Sequence, residues 1–389
     1  MSPGISRIGV GRTIRSLLMC RKPGPSFVED LQKAGLYISY RIATIIGGPM
    51  ANTIQWYRTP VDRHVLRGLT KKSDALGLLQ TVGFLLFVGA TGFAAAYSIG
   101  RVHVVFVLLL FFVHGTFYAF ILNGFHELSH NTVFKSKALN GFFLRLFSFL
   151  SWNNYVFFDY SHTAHHRVTL HPPEDLEVVL PMKFSLKGFL ERSIVNPIGL
   201  AETLVGTVRL SFGDFGGPMP AGFHPFSAEW KARLFPPENK EGRRKLANWA
   251  RFTLIGHILI AVASIVSGLW MIPLVVSLAP FYGSWLLYFL NNTQHMGMMD
   301  NVPDFRLCAR TIHLNPFLRF VYWHMNYHCE HHMYAAIPCY NLKKAHEVMR
   351  HDLPKSPRGL IGTWRQIFAI ERRQKEDPDY QFNALTDFV

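Results

Sequence analysis

The sequence predicts an all-α integral membrane protein: four transmembrane helices arranged as two hairpins, with interfacial helices and a cytoplasmic cap rich in histidine. Three observations lead there. Four apolar stretches are each about as long as the ~17–25 residues a helix needs to cross the hydrocarbon core of a bilayer. Of the 40 Lys and Arg, 39 lie on the side that both termini and the central segment would share. Nine of the 19 His stand in four tight groups, all beyond the ends of the apolar stretches. Composition agrees: 49% of the 389 residues are hydrophobic and 17% charged, against about 25% charged in an average soluble chain. That excludes a disordered chain and argues against an ordinary soluble enzyme. Cys20, Cys308, Cys329 and Cys339 form no C-x-x-C pair, so neither a disulfide framework nor a cysteine zinc ribbon is expected.

Residues 1–72 read as a cytoplasmic and interfacial segment. The start is basic up to Arg21-Lys22, has no acid before Glu29 and lacks an apolar core. This argues against a cleaved secretory signal; a mitochondrial presequence fits the Arg and Ser content, and a membrane-surface tail fits better. Residues 36–57 read as an interfacial helix broken at Gly47-Gly48-Pro49. The membrane domain is expected over 73–345. Its first hairpin pairs 75–99 with 102–122 across the joint Gly100-Arg101, and its second pairs 252–274 with 275–290 across the region of Pro273. Residues 139–158 are aromatic but interrupted by Arg145 and Asn153-Asn154, so they read as interfacial or re-entrant. Residues 213–245 read as a cytoplasmic loop, and 346–389 as a cytoplasmic tail. Four buried helices of a soluble core are the competing reading, but soluble cores rarely need four such segments.

The one basic residue that departs from the rest is Arg101, at the first hairpin turn. By the positive-inside rule both termini are cytoplasmic and both turns face the lumen or exterior. The expected location is the endoplasmic reticulum in a eukaryote and the inner membrane in a bacterium. The net charge of +15 is then accounted for by topology and anionic lipid, and nucleic acid is not an expected partner.

The histidine groups are His126 and His130 in FHELSHN, His162, His165 and His166 in SHTAHHR, His295 in NTQHMG, and His328, His331 and His332 in YHCEHHMY. Spacings of three and four put such side chains on one face of a helix, as a metal site requires. Imidazole suits Zn, Cu, Fe and Ni. A single zinc site with three protein ligands uses at most three of these His. A carboxylate-bridged di-iron bundle needs two Glu-x-x-His motifs, and only Glu127 to His130 fits. Two metals held mainly by His leave no group idle.

The pattern H-x3-H, H-x2-H-H, a lone His after the last span, then H-x2-H-H resembles the membrane fatty acid desaturase and hydroxylase superfamily. It extends from about residue 100 to 345. The resemblance implies two iron ions (Fe2+/Fe3+), with O2 as co-substrate attacking an unactivated C–H bond of a lipid or lipophilic substrate. It implies His126, His130, His162, His165, His166, His295, His328, His331 and His332 as iron ligands. In that family acids near the second box orient ligands; Asp159, Asp175 and Glu177 are candidates here, although Glu177 also reads as a solvated charge. Glu127 and His324, the latter four residues before His328, are candidates for the same supporting role. No cytochrome b5-like segment is fused to the chain, so a separate electron donor of the cytochrome b5 or ferredoxin type is expected. Desaturation of an acyl-type chain is the first expectation, hydroxylation or another oxygenation of a lipophilic small molecule the alternative.

Three other classes fit less of the sequence. HELSH matches the H-E-x-x-H of zinc proteases, with Glu127 as general base, but leaves seven His unexplained and offers no third ligand. A membrane cytochrome would use His114 and His257 inside the spans, where each reads better as a polar residue facing the bundle interior. A metal transporter would hold its ligands at mid-membrane, and the clustered His lie outside it. His64, His171, His224, His313, His346 and His351 are expected in loops or at the surface, and Cys329 as packing.

Overall fold

The computed structural model describes residues 54–180, 182–216 and 227–387. The basic N-terminal start, nearly all of the helix expected over 36–57, and His224 lie outside the described residues. Those described are helical with isolated bridges and no named strand. The helices used below are labelled in chain order, the shorter ones being left unlabelled.

Helix α1 (Asp74–Ser98) opens at Ser73, whose hydroxyl accepts from the Leu76 N–H. Its apolar residues divide by heptads. Phe84, Val88 and Ala95 are buried, whereas Leu79, Leu86 and Phe93 stand about 70% exposed along the opposite face. A face so apolar and so bare is what lipid covers. Helix α2 (Val104–Tyr118) follows a short turn at Gly100, whose φ of 72° suits a residue without Cβ. After a break at Ala119-Phe120 it continues as α3 (Ile121–Ser129), giving an apolar run over Val104–Ser129. Helix α4 (Lys137–Leu150) is amphipathic, and the Asn154 side chain caps α5 (Tyr155–Val168) by accepting from the N–H groups of Val156 and Phe157.

Three helices among the described residues are long and apolar enough to cross a bilayer: α1, α2 with α3, and α8 (Lys240–Val266). The fourth apolar stretch departs from expectation. It is broken into Ile272–Val275, a 3-10 turn at Ala279–Phe281, and α9 (Trp285–Asn292). Pro273, Pro280 and Gly283 (φ 70°) account for the breaks, since proline has no N–H to continue a helix. The turn after α8 accordingly falls at Gly268 (φ 73°), ahead of Pro273.

A broken helix at this depth leaves carbonyls that must be satisfied from within the protein. Four successive ones are. Leu274 C=O accepts from the Tyr282 hydroxyl (2.9 Å), Val275 C=O from His114 Nε2–H (2.9 Å), Val276 C=O from the Tyr118 hydroxyl (2.9 Å) and Ser277 C=O from the Trp152 indole N–H (2.8 Å). His114 is thus a structural donor. His257 is stacked between Phe149 and Trp152 (ring centroids 4.3 and 3.9 Å) and bonded to the Ser277 hydroxyl (2.8 Å). The Trp285 indole then donates to the Thr116 hydroxyl (3.1 Å), and the Asn123 amide to the Asn291 side chain (3.1 Å). From Trp285 to Asn291 the partners advance together along both segments, so α9 runs beside the end of α2 and α3 in the same direction and ends next to the histidine boxes.

Two helices that periodicity did not single out complete the apolar layer. Helices α6 (Leu186–Ser193) and α7 (Pro197–Ser211) form a hairpin, and α7 packs along α8. The tip of this hairpin pairs with the break in the fourth stretch: Asn196 N–H donates to Phe281 C=O (2.7 Å), and Gly283 N–H to Ile194 C=O (2.8 Å). The approach of α2 to this turn is close enough to demand glycine, because a Cβ on Gly115 would lie 2.3 Å from the Tyr282 carbonyl oxygen. Towards the C-terminus, α10 (His328–Met333) carries the last histidine box, and Trp364, Ile367 and Ile370 of α11 (Gly359–Glu376) are buried.

Candidate metal centre

Four pieces of backbone meet here. Helix α3 carries His126 and ends at His130, α5 carries His162, His165 and His166, α10 carries His328, His331 and His332, and His295 lies in the turn after α9. All nine predicted side chains converge. The imidazoles of His126, His130, His162, His166 and His331 bring one nitrogen each within 4.8 Å of one another, and so do those of His165, His295 and His332. His328 joins the second group, its Nε2 2.9 Å from His295 Nε2 and 3.0 Å from His332 Nε2. The nine therefore divide as five and four.

The outer nitrogens set the chemistry of the inner ones. His162 Nδ1–H donates to Glu177 (2.6 Å), His165 Nδ1–H to Asp175 (2.8 Å) and His295 Nδ1–H to the Cys308 carbonyl (2.8 Å). The Thr169 hydroxyl donates to the His165 carbonyl (2.7 Å), and its oxygen accepts from His332 Nδ1–H (3.2 Å). A neutral imidazole that donates from Nδ1 presents a bare lone pair at Nε2, the state a metal ligand needs. Glu127 sits behind two more imidazoles, one carboxylate oxygen 3.2 Å from His126 Nδ1 and 3.5 Å from His331 Nδ1. His126 Nε2, His130 Nε2 and His331 Nε2 are buried and have no hydrogen-bond partner within the protein. Orphaned lone pairs aimed at one another are costly unless a cation sits among them. The donor set thus fits two cations that favour imidazole.

Electrostatics point the same way. Burial, followed by the neighbouring imidazoles, holds His162, His166, His328, His331 and His332 well below the usual histidine range, and brings His295 down to about 3. These rings are neutral at physiological pH and free to ligate. His165 is the exception: burial lowers it, but the Asp175 carboxylate and, behind it, Glu177 together outweigh burial and raise it, while Asp175 itself is held low. Burial pushes Glu177 up to about 7.

Beside the imidazoles lies a cavity of about 160 Å³ whose other walls include Leu122, Phe158, Val178 and Met325. Leu122 also lines a smaller space of about 30 Å³ with Tyr118 and Leu287, further along α2. The exposed lining of the larger cavity is mostly apolar despite Asn123, Asn291 and Gln294, which suits a lipophilic group beside the imidazoles.

Some expectations need correction. Glu177 is no solvated charge; it is largely buried, holding His162 and accepting from the Ser161 hydroxyl. His346, expected in a loop or at the surface, is buried and bonded to Glu330 of the last box, which also accepts from the Thr311 hydroxyl. Asp159 is half-buried on α5, and Glu177 and Asp175 lie on the outer nitrogens of His162 and His165. His324 is half-buried with φ 58°, its buried Nδ1 has no hydrogen-bond partner, and no described ring contact joins it to the nine. Thr169 and the Cys308 carbonyl went unread, having no signal beyond proximity to the boxes. Glu127 does not stand as the general base of a protease site, because it lies behind its histidines and the five-imidazole group exceeds what one zinc takes.

Long apolar helices around a buried cluster of imidazoles define an α-helical membrane protein with a histidine-built cluster able to hold metal ions. Residues 103–364, well over half of the chain, match the family model described as fatty acid desaturase, and the chain belongs to that family of oxidoreductases. Comparison with curated proteins finds no match.

Proposed function

We propose that this chain is an O2-dependent di-iron oxidoreductase that introduces a double bond into an acyl-type lipid chain. The observation that carries the reading is the convergence of nine imidazoles, as five and four, beside an apolar-walled cavity. His126, His130, His162, His166 and His331 would hold one iron, and His165, His295, His328 and His332 the other. Bound iron would supply the means to activate O2 against an unactivated C–H bond. Over the reaction a –CH2–CH2– unit loses two hydrogens, and these, with two electrons and two protons, reduce O2 to two water molecules.

The protein's own share is positioning. Glu177, Asp175, Thr169 and the Cys308 carbonyl keep the Nδ1 protons on the outer side of their rings, so the inner nitrogens stay bare. Leu122, Phe158 and Met325 exclude water and align an apolar chain past the imidazoles. Glu127, behind His126 and His331, fixes where α3 and α10 meet. Mass spectrometry of lipids from a host expressing the chain tests the reaction. A product two hydrogens lighter is expected, and a product gaining one oxygen would replace desaturation by hydroxylation.

We also propose that both termini and the histidine centre face the cytoplasm, with the electrons supplied by a separate carrier. The charge asymmetry supports this, since only Arg101 of the 40 basic residues falls at an outer turn. The return of 275–291 beside α2 and α3 supports a fourth, irregular crossing. Tags at the C-terminus and near Lys240 should then be reachable from the cytoplasm and a tag at Arg101 protected; a protected C-terminus would contradict the topology.

A further inference from the structure

The ring contacts of the nine imidazoles lead to the surface by one route. Among the described aromatic contacts, the side chains outside the nine that touch them are Phe158 and Phe305. Phe158 lines the cavity and packs on Phe125, which is fully buried. Phe305, also fully buried, lies 5.5 Å from the His332 ring and stacks on Trp56 at 4.1 Å with 8° between the planes. Trp56 is only partly buried. Its indole N–H donates to the Arg167 carbonyl (2.8 Å), His171 meets it edge-on at 5.2 Å, and the neighbouring Tyr57 N–H is anchored on the Pro303 carbonyl (2.8 Å). Next to it the exposed Arg58 reaches over the same Phe305 ring. Electronic coupling falls off less steeply through packed rings than across solvent, and this pair bridges the rim of the protein to a histidine of the second group without a gap.

We propose that Trp56 is the port through which an acidic one-electron carrier protein reduces the metal centre, docking over Trp56 and Arg58 and passing electrons by way of Phe305 to His332. The proposal rests on the di-iron reading. Each docking oxidises the carrier by one electron, and two dockings supply the two electrons of a turnover. The partner's charge follows from that of the chain: a protein at +15 whose basic residues gather on one side attracts and orients an acidic partner.

The full-length protein is tested in nanodiscs with the reduced soluble haem domain of a cytochrome b5 and, in parallel, a reduced plant-type ferredoxin. Carrier re-oxidation is followed by stopped-flow absorbance. Trp56→Leu should slow it by roughly an order of magnitude, and Trp56→Phe should recover most of the rate. Iron content and the single-turnover yield after chemical reduction with dithionite should not change, since dithionite does not need the port. A second readout needs no metal: haem-domain binding to the metal-free protein should quench Trp56 emission, weaken with salt and weaken further in Arg58→Glu. If Trp56→Leu loses carrier-driven and dithionite-driven turnover alike, Trp56 is packing and the port is wrong. Equal carrier rates in Trp56→Leu and the parent, or no reduction by either carrier, would also overturn it. A parent protein that holds no iron and gives no product even with dithionite would instead overturn the di-iron reading.

Discussion

Protein carrying His162→Ala or His331→Ala is expected to purify with little iron and to form no detectable product. Both residues belong to the group of five imidazoles, and each sits where the loss is hardest to repair. His162 is held by Glu177 at 2.6 Å and faces His166 Nε2 at 3.0 Å, so its removal leaves one oxygen of a largely buried carboxylate without its donor as well as a gap in the ligand set, the other oxygen keeping the Ser161 hydroxyl. Leaving such a group unpaired costs about 1–3 kcal/mol by itself. His331 is fully buried; its Nδ1 lies 3.5 Å from the Glu127 carboxylate, and its Nε2 has no hydrogen-bond partner within the protein, so a bound cation is what that nitrogen lacks. Elemental analysis and a product assay on the same preparations check both losses. His64→Ala, at an exposed position, is the control and should change neither. Full iron and full activity in His162→Ala would show that the site is misassigned.

The second large effect is expected from Asp175→Asn. One Asp175 oxygen accepts from His165 Nδ1–H and the Leu170 N–H, and the other from the Glu177 N–H at 3.0 Å. Every group around it is a donor. An amide in its place turns a second donor towards them, which favours moving the His165 proton to Nε2, the nitrogen meant for the metal. Changes of this kind behind a ligand typically cost ~10–100-fold in metal affinity or activity. The account expects activity to fall by that order while part of the iron is retained, because Asp175 bonds directly to none of the five imidazoles in the first group. Unchanged activity would mean that the orientation of His165 does not matter.

The sequence made some of this legible and hid the rest for physical reasons. Spacing along a helix is local, so the pairing of His126 with His130 and of His162 with His166 could be read directly, whereas the parting of His165 from its two helix neighbours to join the second group could not. The partners of those rings could not. Thr169 meets His332 across 163 residues, and Trp56 meets Phe305 through chain that carries no periodic signal. Glu177 looked like any exposed acid because nothing in its neighbourhood reveals that the segment folds back over α5. The fourth apolar stretch shows the opposite failure: its hydrophobicity was plain, but Pro273, Pro280 and Gly283 decide its backbone, and a count of apolar residues gives them little weight. His114, whose sequence reading is a polar residue facing the bundle interior, closes with Tyr118 and Trp152 the carbonyls those breaks expose. Helix α7 escaped notice because its buried face is built largely of Gly199, Thr203, Gly206 and Thr207, which carry little hydrophobic signal.

The claim on which the rest depends is that nine histidines hold two irons. Elemental analysis of the full-length protein, purified from cells grown with both metals available, tests it most directly. The account predicts close to two iron per chain and no stoichiometric zinc. One zinc per chain with no iron would contradict it.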